Sequence, residues 1–276
     1  IDITAGTVVL QDINFDNNET TSGYDHGGAV YVSSASNVLF DRCKFTNNDV
    51  YSGSNSRGSC IYTEGTIVVQ NCLFYDNDAY SSNNGLVYLD DGNSTIFNCT
   101  FADNFEEPIY VYGGTHTITN SIFKDNNGYD IERDYGTVNF NYNYYESKTG
   151  TINLENSITY GNVDFVDQAN DDYRIGYNSV CKDAGTASGA PIVDYVQNTR
   201  NGDSQGFDLG AYEYVCETAN AGTAATSTST ICSGSAATLT VSGHTARAIK
   251  WQESSDNLNW SDVSTGSNYT TSSFTT

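Results

Sequence analysis

A four-residue motif, Phe-x-x-Asn, recurs through the first half of the chain at intervals of roughly 20 to 30 residues. Its copies begin at Phe15, Phe45, Phe74, Phe101 and Phe123, and a weaker echo begins at Tyr144, where Ser147 replaces the asparagine. A repeat of this length, built from short β-type runs, is typical of a solenoid in which each unit buries its apolar face only against its neighbours. We therefore expect the aromatic side chains to stack in one continuous column.

Aligning the copies on the aromatic residue predicts where the chain points inward and where it bends. The position two before the aromatic is inward, and its residues are Ile13, Cys43, Cys72, Cys99 and Ser121, with Tyr142 in the last copy. One position earlier, the alternation of a strand fails, so the chain must bend at Asp12, Arg42, Asn71, Asn98, Asn120 and Asn141. Asparagine tolerates the left-handed conformation that such a bend requires. Stacked asparagines can also hydrogen-bond along the axis, which makes Asn71, Asn98 and Asn120 candidate structural residues.

A second set of short strands lies about a dozen residues upstream of each aromatic, as in Ala29-Val30-Tyr31 and Cys60-Ile61-Tyr62. Short strands separated by bends, with like residues stacked at the ~4.8 Å spacing of neighbouring strands, define a parallel β-helix. The sequence therefore predicts an all-β chain in which a right-handed parallel β-helix solenoid covers residues 1–215. Within it, residues 173–215 are expected to be a closing cap.

Residues 216–276 have a different pattern, which predicts a partial immunoglobulin-like β-sandwich. Leu239 and Val241 alternate with polar residues, and Trp251 stands where such folds bury a tryptophan of strand C. The stretch is shorter than the ~100 residues of a whole sandwich, so we expect further domains of the same long chain. Cys216 and Cys232 either form a disulfide across this junction or remain thiols.

Two stretches resemble bacterial surface proteins. Gly27-Gly28-Ala29-Val30, together with Phe-x-x-Asn, resembles the paired repeats of polymorphic outer-membrane proteins over residues 7–127. Residues 178–214 are similar to the closing segment of surface β-helix proteins frequent in Bacteroidota, although Val180 replaces the usual proline. The resemblance implies a pectin-lyase-like β-helix that is exported, by type IX secretion, to the cell surface or the medium. In the closing segment we expect a charged clasp that caps the last coil rather than a catalytic cluster, formed by Asp183, Arg200, Asp208 and Glu213.

The charge balance argues against polyanionic partners. The chain has 34 acidic and 11 basic residues and a formal net charge of −23, which disfavours nucleic acid and anionic membrane surfaces as partners. The sequence contains no apolar run of the length that a membrane-spanning helix needs, so we expect no membrane insertion.

The loops that follow the early motif copies are candidates for a binding surface. Tyr51 and Tyr80 stand at the same distance from their motif phenylalanines, and Tyr24 and Asp25 lie in the preceding loop. Flat tyrosine rings beside short polar groups suit a glycan or a host or substratum surface, and loops often carry function. The alternative is that these loops are solvated and their tyrosines pack back on the coil.

An acidic column follows the motif aromatics by two positions, and its later members are Asp76, Asp103 and Asp125. Stacked carboxylates repel one another unless they are solvated or share a divalent cation, so calcium is the one cofactor that the pattern suggests. Paired carboxylates also serve as acid and base in glycoside hydrolysis. A lyase, however, needs a strong base and a group that neutralises a uronate, and no two basic residues of the clear coils share a column.

We therefore expect a non-catalytic segment of a large secreted or cell-surface adhesin, located outside the cell. The competing hypothesis is a secreted polysaccharide lyase or glycoside hydrolase with its cleft on the acidic column. A third possibility is a purely structural spacer, for which changes at Tyr51 and Tyr80 would leave all binding unchanged.

Overall fold

The computed structural model describes most of the chain. The described residues are 1–20, 26–50, 56–80, 84–201, 206–215, 222–228, 230, 232–244 and 249–273. The chain divides into two compact units, Ile1–Val215 and Cys216–Thr276. This division coincides with the boundary expected between the repeats and the second pattern.

Three parallel sheets form the body of the first unit, and each coil contributes a strand to each sheet in the regular region. Sheet 1 contains Asp2–Ile3, Val30–Val32, Ile61–Thr63, Val87–Leu89, Ile109–Val111, Ile131–Arg133 and Lys148–Thr149. Sheet 2 contains Gly6–Gln11, Ser36–Asp41, Thr66–Gln70, Thr95–Phe97, Thr115–Thr119, Thr137–Asn141 and Asn153–Glu155. Sheet 3 contains Asn14–Asp16, Lys44–Thr46, Leu73–Tyr75, Thr100–Ala102 and Ile122–Lys124. The predicted all-β parallel solenoid is confirmed.

The motif phenylalanines lie directly above one another inside sheet 3. Successive rings from Phe15 to Phe123 are stacked, with centroids 4.3–4.9 Å apart and planes within 9° of parallel. All of them are buried in one apolar core, together with the free thiols of Cys43, Cys72 and Cys99. The stacking follows from the in-register pairing of the strands, since each phenylalanine is the partner of the next.

The last copy of the repeat is shifted by one residue relative to the prediction. Tyr144 pairs with Ile122 and packs in a separate cluster, so it does not continue the phenylalanine column. Asn143, rather than Tyr142, takes the inward place, where its Oδ1 accepts the N–H of Ser121 at 2.8 Å. Tyr142 instead occupies the left-handed bend, with φ of 53°. The physical reason is that the asparagine amide reproduces the hydrogen bond that Cys72 Sγ makes to the N–H of Cys43.

The bend before sheet 3 has the expected left-handed backbone, with φ of 54°, 48° and 55° at Asn71, Asn98 and Asn120 (the bend column). These side chains form only one weak axial contact with one another, from Asn120 Nδ2 to Asn98 Oδ1 at 3.3 Å. The expected axial ladder is formed instead by the asparagines of the motif itself, which we call the motif column: Asn18, Asn48, Asn77, Asn104 and Asn126. In it each Nδ2 donates to the Oδ1 of the next asparagine at 2.8–3.0 Å.

Residues 173–215 (the closing segment) lie along the side of the coils, so the expected cap on the last coil is corrected. Arg200 Nη2 donates to Asn71 Oδ1 at 2.8 Å, and Asn98 Nδ2 donates to the carbonyl of Asp208 at 3.1 Å. Asn120 Nδ2 donates to the carbonyl of Thr186 at 2.8 Å. The segment binds this side because the bend column presents amides whose bonds to neighbouring coils are long, such as Asn71 Nδ2 to Asp41 Oδ1 at 3.3 Å, and leave hydrogen-bonding groups for the segment.

The expected clasp forms in part. Buried Arg200 pairs with Glu213 at 3.3 Å, and Asp208 accepts the N–H groups of Asp183 and Tyr214. The carboxylate of Asp183 pairs with Lys182 instead of with the arginine. Asp194, which the sequence analysis did not single out, is fully buried and accepts the N–H of Glu213 at 3.0 Å. The clasp therefore joins parts of the closing segment to one another.

The second unit contains two small antiparallel sheets. Thr223–Thr226, Thr238–Ser242 and Asn268–Thr270 form one, and Lys250–Glu253 pairs with Ser261–Thr265 in the other. Trp251 is half-buried rather than buried, because its Nε1 donates to the carbonyl of Gly266 at the surface. This arrangement is compatible with part of an immunoglobulin-like sandwich. Cys232 is an exposed free thiol, and Cys216 lies outside the described residues.

Candidate functional site

The early loops leave the β-helix from one corner, as the sequence predicts. Parallel bridges stack Glu19, Asp49 and Asp78 at the start of the three loops, and another bridge pairs His26 with Arg57 where two of them end. We call this region the loop corner. Tyr24, Asp25 and Tyr51 lie outside the described residues. Tyr80 is 57% exposed, and its backbone N–H donates to Asp78 Oδ1 at 2.7 Å.

Two further exposed aromatic residues extend the loop corner beyond the residues that sequence reasoning found. The N–H of Phe105 donates to the carbonyl of Asn77, which places Phe105 one coil below Asp78. Phe105 is 53% exposed, and Tyr129 in the following coil is 46% exposed. Their sequence signal was available, since Phe105 directly follows the asparagine of a motif copy. It was missed because these coils lack long loops.

A pair of adjacent carboxyl groups, Glu106 and Glu107, lies at the same corner. Glu107 is almost fully buried, and its Oε2 has no hydrogen-bond partner. Burial, and then the nearby Glu106 and Glu132, raise the pKa of Glu107 to about 7. Burial, followed by Asp78, also raises the pKa of Glu106. Glu107 therefore keeps its proton well above the pH at which an exposed glutamate ionises.

The acidic column lies at a second left-handed bend, directly after sheet 3. Asp76, Asp103 and Asp125 have φ of 55°, 52° and 55°. A hairpin formed by Phe165–Asp167 and Asp172–Ile175 packs here. From it, Gln168 Nε2 donates to Asp103 Oδ1 at 2.9 Å and to Asp125 Oδ2 at 2.9 Å. The column thus has a local role in the backbone bend and in anchoring the hairpin.

The environment of these carboxylates explains how the column tolerates its charge. The hydroxyl of Tyr173 donates to Asp103 Oδ2 at 3.0 Å. Burial, followed by Asp171 and Asp103, raises the pKa of Asp76. Lys124, which pairs with Asp125 and Glu146, contributes to lowering the pKa of Asp125 against the opposing effect of burial. Within the part of the chain that the structure describes, no three histidine, cysteine or acidic side chains are arranged to hold a metal ion.

A column of tyrosines on the outer face of sheet 1 was not recognised from the sequence. Tyr31, Tyr62, Tyr88 and Tyr110 stack with ring centroids 5.0–5.6 Å apart. The ends of the early loops cover the middle of this column. The His26 ring stacks on Tyr62 at 4.4 Å, and the Arg57 guanidinium lies 4.9 Å above Tyr88. The sequence pattern that indicates this column is a tyrosine at the same position in four successive strands of sheet 1.

The three parallel sheets and the columns of like residues that they stack define a protein of the parallel β-helix class. The chain belongs to the family of the right-handed β-helix region, whose model matches residues 3–168. Residues 220–276 match a domain of unknown function. No curated protein and no solved structure matches the chain. None of the helices among the described residues is long and apolar enough to cross a membrane.

Proposed function

We propose that the chain is a non-catalytic segment of a secreted or cell-surface adhesin, whose β-helix presents the loop corner to a glycan. The observation that carries the proposal is the exposure of Tyr80, Phe105 and Tyr129 at one corner in three successive coils. Aromatic rings are usually buried, so a row of exposed ones marks a binding surface. The carboxylates of Asp78 and Glu106 lie in the same coils and accept hydrogen bonds from sugar hydroxyls.

The covering of the acidic column also supports a binding role over catalysis. Gln168 and Tyr173 occupy the oxygens of Asp103 and Asp125 that an acid–base mechanism requires. A general base must reach the proton that it abstracts, and here the hairpin lies over the carboxylates. Surface location, export by type IX secretion and a Bacteroidota source belong to the same proposal, and they rest on the resemblance of the closing segment.

A polysaccharide-degrading enzyme is the second candidate, and the Glu106–Glu107 pair is the observation that favours it. A carboxyl group with a pKa of about 7 is suited to general-acid catalysis at neutral pH. The burial of Glu107 counts against this role, since a substrate must touch the group that protonates it. Glu107→Gln abolishes turnover under this hypothesis and leaves binding unchanged under the adhesin hypothesis.

The adhesin proposal is tested by affinity electrophoresis of the whole chain through gels that contain soluble neutral or acidic polysaccharides. We expect retardation by at least one polysaccharide, and a loss of most of it in the double variant Tyr80→Ala, Phe105→Ala. The matched control is Tyr160→Ala, because Tyr160 is 80% exposed but lies outside the loop corner. Equal loss in the control, or no loss in the double variant, would contradict the loop corner as the site.

A further inference from the structure

Beyond the covered part of the tyrosine column, the aromatic surface continues in an exposed form. Tyr112 is 42% exposed and Tyr135 is 63% exposed, and their rings meet edge to face at 5.5 Å. The Tyr112 ring also lies 6.4 Å from the buried Tyr88 ring. The column itself is buried from Tyr62 to Tyr110, and the exposed rings of Tyr112 and Tyr135 lie beside its later end.

Carboxylates border Tyr112 along the axis on both sides. The N–H of Tyr112 donates to the carbonyl of Leu89, and the N–H of Asp134 donates to the carbonyl of Val111. This register puts Asp90 one coil before Tyr112 and Asp134 one coil after it. At the ~4.8 Å spacing of strands, the backbone positions of Asp90 and Asp134 lie about 10 Å apart with that of Tyr112 between them. Asp134 Oδ2 accepts the hydroxyl of Tyr110 at 2.5 Å, which fixes its position.

Arg57 adds a hydrogen-bond donor to this surface. Its guanidinium lies 4.9 Å above the Tyr88 ring and 5.8 Å above the Tyr112 ring. Such cation–π contacts hold the guanidinium beside the rings, and a guanidinium carries five N–H donors. We call the set of Arg57, Asp90, Tyr112, Asp134 and Tyr135 the tyrosine flank.

We propose that the tyrosine flank is a second carbohydrate site, specific for an uncharged glycan. Exposed tyrosines offer flat apolar surface to the C–H face of a sugar ring, and the carboxylates on either side accept bonds from its hydroxyls. The surrounding Glu64, Asp91 and Glu132 add negative charge, which repels uronate and sulfated chains. The proposal rests on the glycan-binding role of the protein but not on the loop corner.

The composition of the tyrosine flank favours a glycan over a protein partner. Protein interfaces are depleted of aspartate and glutamate at their centre, whereas here carboxylates stand directly beside the aromatic rings. A carbohydrate, with one hydroxyl on most carbons, can use each of these acceptors without leaving a carboxylate unpaired.

The test is isothermal titration calorimetry of the whole chain with three classes of hexasaccharide. The neutral ones are cello-, xylo- and mannohexaose, the anionic one is hexagalacturonate and the cationic one is hexaglucosamine. We expect a neutral hexasaccharide to bind, and Tyr112→Ala with Tyr135→Ala to weaken binding at least about tenfold. Tyr112→Phe with Tyr135→Phe keeps the rings and should retain affinity. Tyr177→Ala is the control, because Tyr177 is 66% exposed and lies outside the tyrosine flank.

The outcomes separate this inference from the proposed function. A loss in the Tyr80, Phe105 variant alone would overturn the tyrosine flank and leave the loop corner standing. A loss in the Tyr112, Tyr135 variant alone would support the tyrosine flank and contradict the loop corner. Binding of only the anionic or the cationic hexasaccharide, or of none, would overturn the proposed specificity. Capture of a purified protein ligand that the neutral sugars do not compete away would overturn it as well.

Discussion

Two columns of asparagines run along the β-helix, and they are stabilised in different ways. In the motif column, Asn77 Oδ1 accepts the side-chain Nδ2 of Asn48, and its own Nδ2 donates to Asn104 Oδ1. In the bend column, Asn98 finds its partners more than a hundred residues away, at the carbonyls of Asp208 and Gly210. The same residue type thus stabilises the solenoid internally at one corner and attaches the closing segment at another. Repetition alone is enough for the first role, whereas the second needs a particular partner.

Among the substitutions in the two columns, we expect the largest loss of stability at the centre of the motif column. Asn77→Ala removes the acceptor of the Asn48 N–H and the donor to the carbonyl of Phe45 in a buried site, and it leaves Asn104 Oδ1 with only the backbone N–H of residue 77, at a cost of about 4 kcal/mol in unfolding free energy. Chemical denaturation measures this loss. The control is Asn37→Ala at an exposed strand position, which should cost less than about 0.5 kcal/mol. A motif variant as mild as the control would show that the column does not hold the coils together.

A smaller effect is expected in the bend column. Asn98→Ala loses the bonds to the closing segment and places a Cβ-bearing residue without a polar side chain at φ of 48°, at a cost of about 2 kcal/mol. Asn98→Gly loses the same bonds but tolerates the backbone, so it should cost about half as much. Limited proteolysis should cut residues 173–215 faster in both variants. Unchanged cleavage would show that the bend column does not hold the closing segment, which would contradict the difference between the two columns.

The sequence predicted the stacked aromatic core beside the motif column. It did not predict which residues bind the bend column. The aromatic stack follows from the repeat alone, because parallel in-register strands place like residues together. The left-handed bends at Asn71, Asn98 and Asn120 also follow from a local rule. No local rule could find that Arg200 reaches Asn71, since that contact joins a repeat to a segment without one.

The parts of the candidate site that lie within the repeat could be predicted from the sequence, and the parts outside it could not. The common corner of the loops follows from the repeat, and so does the column formed by Asp76, Asp103 and Asp125. The amide of Gln168 between Asp103 and Asp125 could not be predicted, because the hairpin that carries it lies outside the periodic region. The register shift at Tyr144 was missed because an aromatic residue stands at both positions 144 and 145, and only the hydrogen bond of Asn143 decides between them.

A third prediction concerns pH and compares one buried carboxyl group beside each column. Burial raises the pKa of Glu107 near the loop corner and the pKa of Asp208 in the closing segment, each to about 7. Because both folded pKa values exceed the unfolded ones, the stabilisation is fully present below about pH 4 and is lost as the pH rises through about 7. Unfolding free energy should therefore be higher at pH 5 than at pH 8.

Variants distinguish the two carboxyl groups. Glu107→Gln should flatten part of the pH dependence and change stability at pH 5 by less than about 1 kcal/mol, since Glu107 Oε2 has no partner to lose. Asp208→Asn should cost stability at both pH values, because its carboxylate accepts the N–H groups of Asp183 and Tyr214. A Glu107→Gln variant with the full pH dependence of the native chain would show that this group does not titrate as its burial implies.

The smallest effect on stability, within about 0.5 kcal/mol, is expected for Tyr80→Ala, since more than half of that side chain is exposed. Its effect should appear in glycan binding alone. A large loss of stability in this variant would mean that Tyr80 is part of the scaffold and not of the binding surface.

The most direct test of the proposed role measures binding and turnover on the same sample. The whole chain is incubated for a day with each polysaccharide that retards it in a gel, and released reducing ends and unsaturated uronates are quantified at pH 5 and pH 7. We expect retention of the chain by the polysaccharide with no products above a heat-denatured control. Products that accumulate in proportion to the amount of the protein, and that disappear with Glu107→Gln, would show that the protein is an enzyme.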